Sequence, residues 1–303
     1  VSATAFSGRD WQEHLFNELG RFAPREAVLD TAAWEDVELR EFLRLRLDCR
    51  CELGREEDFA PDRAMETARK QFRTGLEDLP SEAEAAVRAC GGLLIYLYET
   101  QKTELSHLTA FRYYTGGEFM ELDLTARRNL ELTETMRGKE KKGSLLWVLD
   151  KTRTAMGHRL IRSWMERPLL SPVQVNKRLD AVEDLVGDAI ARQEIAECLR
   201  EVTDLERLIG RIVYGTAGAR DLVALSGGLG KLPRLRALLA PFRSSLLTVL
   251  RESIDDLQDL REHIARALVE EPPFSVREGG FIKAGYNSDV DYLRDIMTNG
   301  KSM

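Results

Sequence analysis

A mainly helical protein, preceded by a partial α/β piece, is the fold class this sequence predicts. Three observations predict it. Apolar residues recur at helical spacing from about residue 61 almost to the end. Short alternating strand signals interleave with helical ones only in residues 1–70. One later stretch, LTAFRYYTGGEFMELD, reads as a small β hairpin about a turn at Gly116-Gly117.

The elements follow in order. VSATAFS alternates through Val1, Ala3 and Ala5, as a strand does. Asp10 is placed to cap a helix with Trp11, Leu15 and Leu19 on one face. Pro24 and EAVLD return the chain to strand, Glu35 to Arg46 reads as helix, and Leu47, Cys49, Cys51 and Leu53 alternate again. These are too few strands for a complete sheet domain. Pro61 suits a helix start, and Ser81 with Glu84 forms a capping-box pattern for a helix reaching about Tyr98. Asp123 or Thr125 caps a short helix. Leu145, Leu149, Thr152, Met156, Leu160 and Trp164 share one helical face, broken in two at residues 152–154 and stopped by Pro168. Ser171-Pro172 opens the next helix, with the stripe Val175, Leu179, Val182 and Val186. Leu205, Leu208, Ile209 and Ile212 mark another. A long helix is expected over 244–270, ended by Pro272-Pro273. Gly279-Gly280 and Gly285 mark tight turns, and Ser288 or Asp289 opens a last helix. Helices with one apolar face must pack on one another, and the lack of a strict heptad favours a globular bundle over a coiled coil.

At 303 residues the chain is long enough for about two domains with real cores. Its 43% hydrophobic and 31% charged content fits a globular, helix-rich protein. No apolar run approaches membrane-spanning length, so no membrane partner is expected. The abrupt opening on a strand, and an end about two turns into a helix, lead us to expect a piece of something longer. The four cysteines lack zinc-site spacing and read as small buried residues in a reducing, cytoplasmic environment.

Net charge is −7, yet residues 137–167 carry nine basic against three acidic side chains. The plain reading is a solvated charged face. The alternative is contact with DNA backbone, for which Lys139, Lys141 and Lys142 are the candidates. No catalytic, cofactor-binding or metal-ligating residue is legible. Gly300-Lys301-Ser302 lacks the glycine that a phosphate loop needs at position 295, where Asp295 stands. Gly227 to Lys231 fails the same pattern, because Leu225 and Leu232 occupy its first and last positions. Asp204 and Glu206 point to different sides of a helix, so Asp204 reads as a cap or a partner of Arg207.

Six segments together resemble the MutS mismatch-repair family. LDLTARRNLEL is similar to its core-opening signature through Asp123, Thr125, Arg128, Asn129 and Glu131. SLLWVLDKTRTAMGHRLIRSWMERPL matches its most specific block at Gly157, Arg159 and Pro168, among others. RLDAVEDL brings Arg178, TDLERLIGRI brings Asp204, Glu206 and Arg207, and ARDLVAL brings Arg220 and Asp221. PPFSVREGGFIKAGYNSDVDYLRD, with Gly279, Gly280 and Gly285, resembles the passage from the core into the clamp arm. The resemblance implies an RNase-H-like connector domain ending near residue 70, a helical core (lever) domain over 71–280, and the start of the clamp arm over 281–303. The family's mismatch-reading and ATPase segments have no counterpart here. Their roles are therefore carried over to no residue. ATP and Mg are implied for the intact parent only, as are mismatched duplex DNA, a homodimer through the ATPase domain, and a MutL-type partner on the connector.

The function this implies is transmission of a conformational change between the DNA-clamp end and the ATPase end. A standalone helical scaffold for protein partners is the alternative. A nuclease is disfavoured because residues 1–70 show no cluster of carboxylates to hold metal ions.

Overall fold

The computed structural model describes residues 1–77, 79–101, 105–115 and 119–299. Strand β1 (Ser2–Ala3) leads to helix α1 (Trp11–Phe22), which turns at a left-handed Ala23 into β2 (Glu26–Leu29). The helix expected over 35–46 runs from Val37 to Arg46 with a π-helical second half, and a separate short helix precedes it. The pieces are α2 (Thr31–Glu35), α3 (Val37–Glu41) and a π-helical turn, Phe42–Arg46. The carboxylates explain the two starts. Asp30 accepts from the Ala33 amide at 2.9 Å, and Asp36 accepts from Leu39 at 3.0 Å, so each starts its own helix. Strand β3 (Arg50–Leu53) pairs in parallel with β2. Leu39, Leu43 and Cys49 form the core beneath them, packed by Leu15, Leu19 and Ala27.

Helix α4 (Pro61–Gln71) packs along α5 (Glu84–Gln101). The approach is close: a Cβ on Gly91 would lie 2.4 Å from the Ala64 Cα. Glycine is required there for contact rather than for a turn. Ser81 does not cap α5. It lies within a 3-10 turn, Ser81–Ala83, that follows Pro80 and lacks a side-chain cap. Phe72, Val87, Cys90, Leu94 and Phe111 build the second core of this region.

The expected hairpin is not local. Strand β4 (Arg112–Tyr113) pairs in parallel with β1, and Phe119 bridges Leu169 instead of returning along β4. The turn at Gly116-Gly117 lies outside the described residues, as does the Gly300-Lys301-Ser302 segment. Distant partners won because β1 and the 165–170 segment each offer a free backbone edge to these residues.

Among the described residues, eleven short or medium helices follow. They are α6 (Leu124–Asn129), α7 (Leu145–Leu149), α8 (Ala155–Glu166), α9 (Pro172–Gly187), α10 (Ala189–Arg200), α11 (Leu205–Val213), α12 (Ala219–Leu229), α13 (Leu232–Leu238), α14 (Ser245–Ser253), α15 (Gln258–Ala267) and α16 (Ser288–Asn299). The break between α7 and α8 falls where the threonines at 152 and 154 place it. The long helix expected over 244–270 is two helices. Leu257 is left-handed at φ 45°, and its amide donates to Asp255 Oδ1 at 3.0 Å. That local turn competes with helical hydrogen bonding. The fold is thus mainly helical with small β elements.

The chain forms two compact units. The first comprises Val1–Trp147 and Met165–Leu170, and the second comprises Val148–Trp164 and Ser171–Met303. Among its described residues the second unit has two cores. Ala181, Leu239, Phe242 and Leu247 join α9 to α13 and α14. Ile264, Ala267 and Leu268 join α15 to α12 and to Phe281 and Ile282. The apolar stripe expected on α9 lies elsewhere: Leu179 is 56% and Val186 65% exposed, while Ala181 is the buried face.

Candidate functional site

The signature residues form three local structures rather than one cleft. The first surrounds α6. Asp123 accepts from the Ala126 amide and is therefore its cap, with Thr125 inside the helix. Arg128 and Asn129 are exposed. Glu131 is left-handed at φ 47° and anchors the basic loop: its carboxylate takes the Met136 amide at 2.7 Å, and its carbonyl takes Leu145 at 3.0 Å. Ser144, almost fully buried, donates to the Lys141 carbonyl at 2.8 Å and accepts from Trp147 at 3.2 Å. Lys139, Lys141 and Lys142 project from this braced loop as exposed side chains. Pro168 contributes its carbonyl to the Met120 amide at 2.8 Å.

The second structure joins α8 to α11. Arg159 makes a fork: Nη2 and Nη1 donate to Asp204 at 2.7 and 3.0 Å, and Nε donates to Glu206 at 2.8 Å. Asp204 and Glu206 therefore do converge, on an arginine 45 residues away. Asp204 also caps α11 through the Arg207 amide at 3.3 Å. Its carboxyl is held below the usual range, first by Arg159. Both carboxylates raise the Arg159 guanidinium in turn, Asp204 foremost. Just before α8, Asp150 accepts the Thr152 hydroxyl at 2.6 Å and pairs with His158. These contacts, Thr152 first, hold Asp150 down to about 2. Gly157 donates to Thr154 Oγ1 at 2.9 Å, and Arg178 stacks on Trp164 at 3.6 Å.

The third structure braces α12. Asp221 takes Arg211 at 2.7 Å and the Gly218 amide at 2.8 Å. Arg220 donates to the Pro272 carbonyl at 2.8 Å. Gly279, Gly280 and Gly285 all have positive φ, at 68°, 74° and 81°, so this passage needs glycine.

Among the described residues no group of three or more His, Cys, Asp or Glu side chains is placed to hold a metal ion. Gly227 and Gly228 lie inside α12, where helical hydrogen bonding uses their backbone, so no phosphate cradle exists there. These residues do not fit ATP or Mg. Cys49, Cys90 and Cys198 are buried, and burial pushes the first two thiols up to about 11. No helix among the described residues is long and apolar enough to cross a membrane.

Residue-by-residue reading missed Arg127. Its Nε donates to the Leu122 carbonyl at 2.8 Å and Nη2 to the Glu166 carbonyl at 3.1 Å, so it ties two segments 39 residues apart. It stands within the quoted LDLTARRNLEL block, but no periodicity marks it.

Two family models match the chain. MutS domain II matches residues 2–109, and MutS domain III matches residues 125–299. Among similar proteins, the DNA mismatch repair protein MutS of Ruminiclostridium cellulolyticum is 40% identical over 299 residues, covering 99% of this chain and 34% of the relative. The protein of the same name from Pelotomaculum thermopropionicum is 41% identical over 306 residues, with coverage of 99% and 35%. That of Listeria innocua is 44% identical over 235 residues, covering 75% of this chain and 27% of the relative. The chain therefore spans about a third of the length of the curated relatives it matches.

Proposed function

The chain belongs to the MutS family, and from that premise we propose that it is the connector–core relay of a DNA mismatch-recognition ATPase. It passes a conformational change between the mismatch and DNA-clamp end and the ATPase end. The observation that carries this reading is the Arg159 fork onto Asp204 and Glu206. A relay must move packed elements as rigid bodies, and a bidentate arginine clamp fixes both distance and angle between α8 and α11. The division at residues 70 and 280 into connector, core and clamp arm belongs to the same proposal. So do ATP and Mg in the intact parent, a cytoplasmic setting, mismatched duplex DNA, a homodimer through the ATPase domain, and a MutL-type partner on the connector. The other signature residues act as caps, clamps and turns that hold the relay's shape.

On this reading the 303-residue chain alone turns over no ATP and binds mismatched and matched duplexes equally. ATP hydrolysis by the pure chain, or a preference for a mismatch, would contradict it. Lys139, Lys141 and Lys142 supply a weak, sequence-blind contact to DNA backbone. Replacing each with glutamine should lower the dependence of log K on log salt by about 1. A salt slope unchanged by all three replacements would remove the loop from the DNA surface. A scaffold without a motor is the second reading; the braced basic loop serves it equally well as a docking surface for an acidic protein.

A further inference from the structure

The first unit holds two pairs of parallel strands that do not join. β1 pairs with β4 and β2 with β3, yet helix α5 packs on both β1 and β2. A sheet interrupted in this way leaves a strand edge inside the fold. The register shows which edge it is. The Arg50 amide donates to the Arg25 carbonyl at 2.9 Å, and the Gly54 amide to the Leu29 carbonyl at 2.8 Å. Arg25, Ala27 and Leu29 therefore turn their main-chain groups to β3. Glu26 and Val28 turn theirs the other way, where β2 has no strand partner among the described residues.

A slot of about 480 Å³ runs along that edge. Leu15 and Leu39 line it from one face of β2, Ala89 and Leu93 from the other, and no residue of β3 lines it. A cavity that reaches both faces of β2 without touching β3 must pass the free edge. Its three charged side chains already have partners. Glu26 takes the Tyr96 hydroxyl at 2.6 Å, Asp30 takes the Ala33 amide at 2.9 Å, and Arg88 donates to the Phe59 carbonyl at 3.0 Å. The other walls are apolar, so neither an ion nor a polar small molecule is called for.

Unpaired main-chain groups between apolar walls need a partner with main-chain groups of its own. A small apolar guest would fill the space and leave them unpaired. The β2 of a second copy cannot reach them, because its edge is equally recessed between helices.

We propose that the slot seats an extended polypeptide strand from outside these 303 residues. The main chain of that strand pairs with Glu26 and Val28, and its side chains alternate onto the α1–α3 wall and the α5 wall. It is apolar on both faces, as a strand covered by helices on both sides must be. β2 has four residues and spans about 13 Å, so about four residues of the guest lie in register. The seat belongs to the first unit alone and stands whether or not the chain relays a signal.

The test uses the full chain and a lysine-flanked synthetic peptide with a Val-Ala-Val-Ala-Val centre. Amide hydrogen exchange is followed residue by residue. The peptide should slow exchange at Glu26 and Val28 saturably, while Ala27 and Leu29, already bonded to β3, change little. The same peptide with proline at its centre lacks the central donor and should protect neither amide. Leu93→Glu sets a charge on the α5 wall and should weaken binding at least about tenfold. Leu93 is 39% exposed in the free chain, so the replacement leaves the fold intact. Equal protection by the proline peptide, or unchanged protection in Leu93→Glu, would overturn the proposal. So would an absent response to the peptide. Slow exchange at Glu26 and Val28 without peptide, whether at all concentrations or only at high ones, would overturn it too, because the chain itself or a second copy would then hold the edge.

Discussion

Helix α5 of the first unit and helix α9 of the second are both legible as helices in the sequence, and they end in opposite surroundings. On α5, Val87, Cys90 and Leu94 are buried against α4 and Phe111. On α9, Leu179, Val182 and Val186 are each more than half exposed, and only Ala181 is buried. The difference teaches that periodicity shows that a helix has a face, but not which face is covered. On α5 the close approach to Ala64 at Gly91 fixes the answer through shape. On α9 the buried residue is small, and the larger residues stand on the outside.

That contrast can be broken by substitution. The largest effect is expected at Leu94→Ala, which removes a side chain only 1% exposed. The loss should be about 3 kcal/mol, read from urea unfolding of the chain. Gly91→Val should cost about 2 kcal/mol, because the added Cβ meets Ala64 backbone rather than a flexible side-chain tip. A cost near zero at either position would mean that the α4–α5 contact is looser than described.

Between these extremes lies a dependence on pH in the second unit. Asp150 is held down to about 2 from an ordinary 3.8 by Thr152 and His158. A carboxylate lowered on folding stabilises the folded state above its ordinary value, and that contribution fades as pH falls from about 4 to about 2. Asp150→Asn should therefore flatten acid unfolding of this unit in that window, followed by hydrogen exchange in α8. An unchanged acid profile would detach Asp150 from the stability of the α7–α8 turn. The smallest effect is expected on α9: Leu179→Ser and Val182→Ser should each stay within about 0.5 kcal/mol. A loss of 2 kcal/mol there would show that the stripe is covered in solution, and the contrast with α5 would fail.

Much of the fold was legible in sequence because its signals are local. Pro61, Ser171-Pro172 and the threonines near residue 152 each set a helix boundary by their own chemistry. Other signals were outcompeted. Asp36 and Asp255 carry side chains that satisfy nearby amides; Asp36 sets the start of its helix at Val37, and Asp255 interrupts one that apolar spacing alone would continue. The parallel pairing of β4 with β1 spans more than 100 residues, which no local pattern encodes. For the candidate site, family signatures picked out Arg159, Asp204 and Glu206 one by one. Only the fold brings them into one fork. Arg127 escaped because its partners are main-chain carbonyls, which leave no trace in residue type.

The fork also gives the most direct test of the relay. In the longer protein that the proposed function assumes, Arg159→Ala would be compared with the unaltered protein for ATP turnover with matched and with mismatched duplex. Basal turnover and DNA affinity are expected to persist while the difference between the two duplexes collapses, with Arg159→Lys restoring part of it. Full mismatch dependence in Arg159→Ala, together with faster hydrogen exchange in α8 and α11 showing that the clamp had opened, would contradict the claim that this clamp carries the signal.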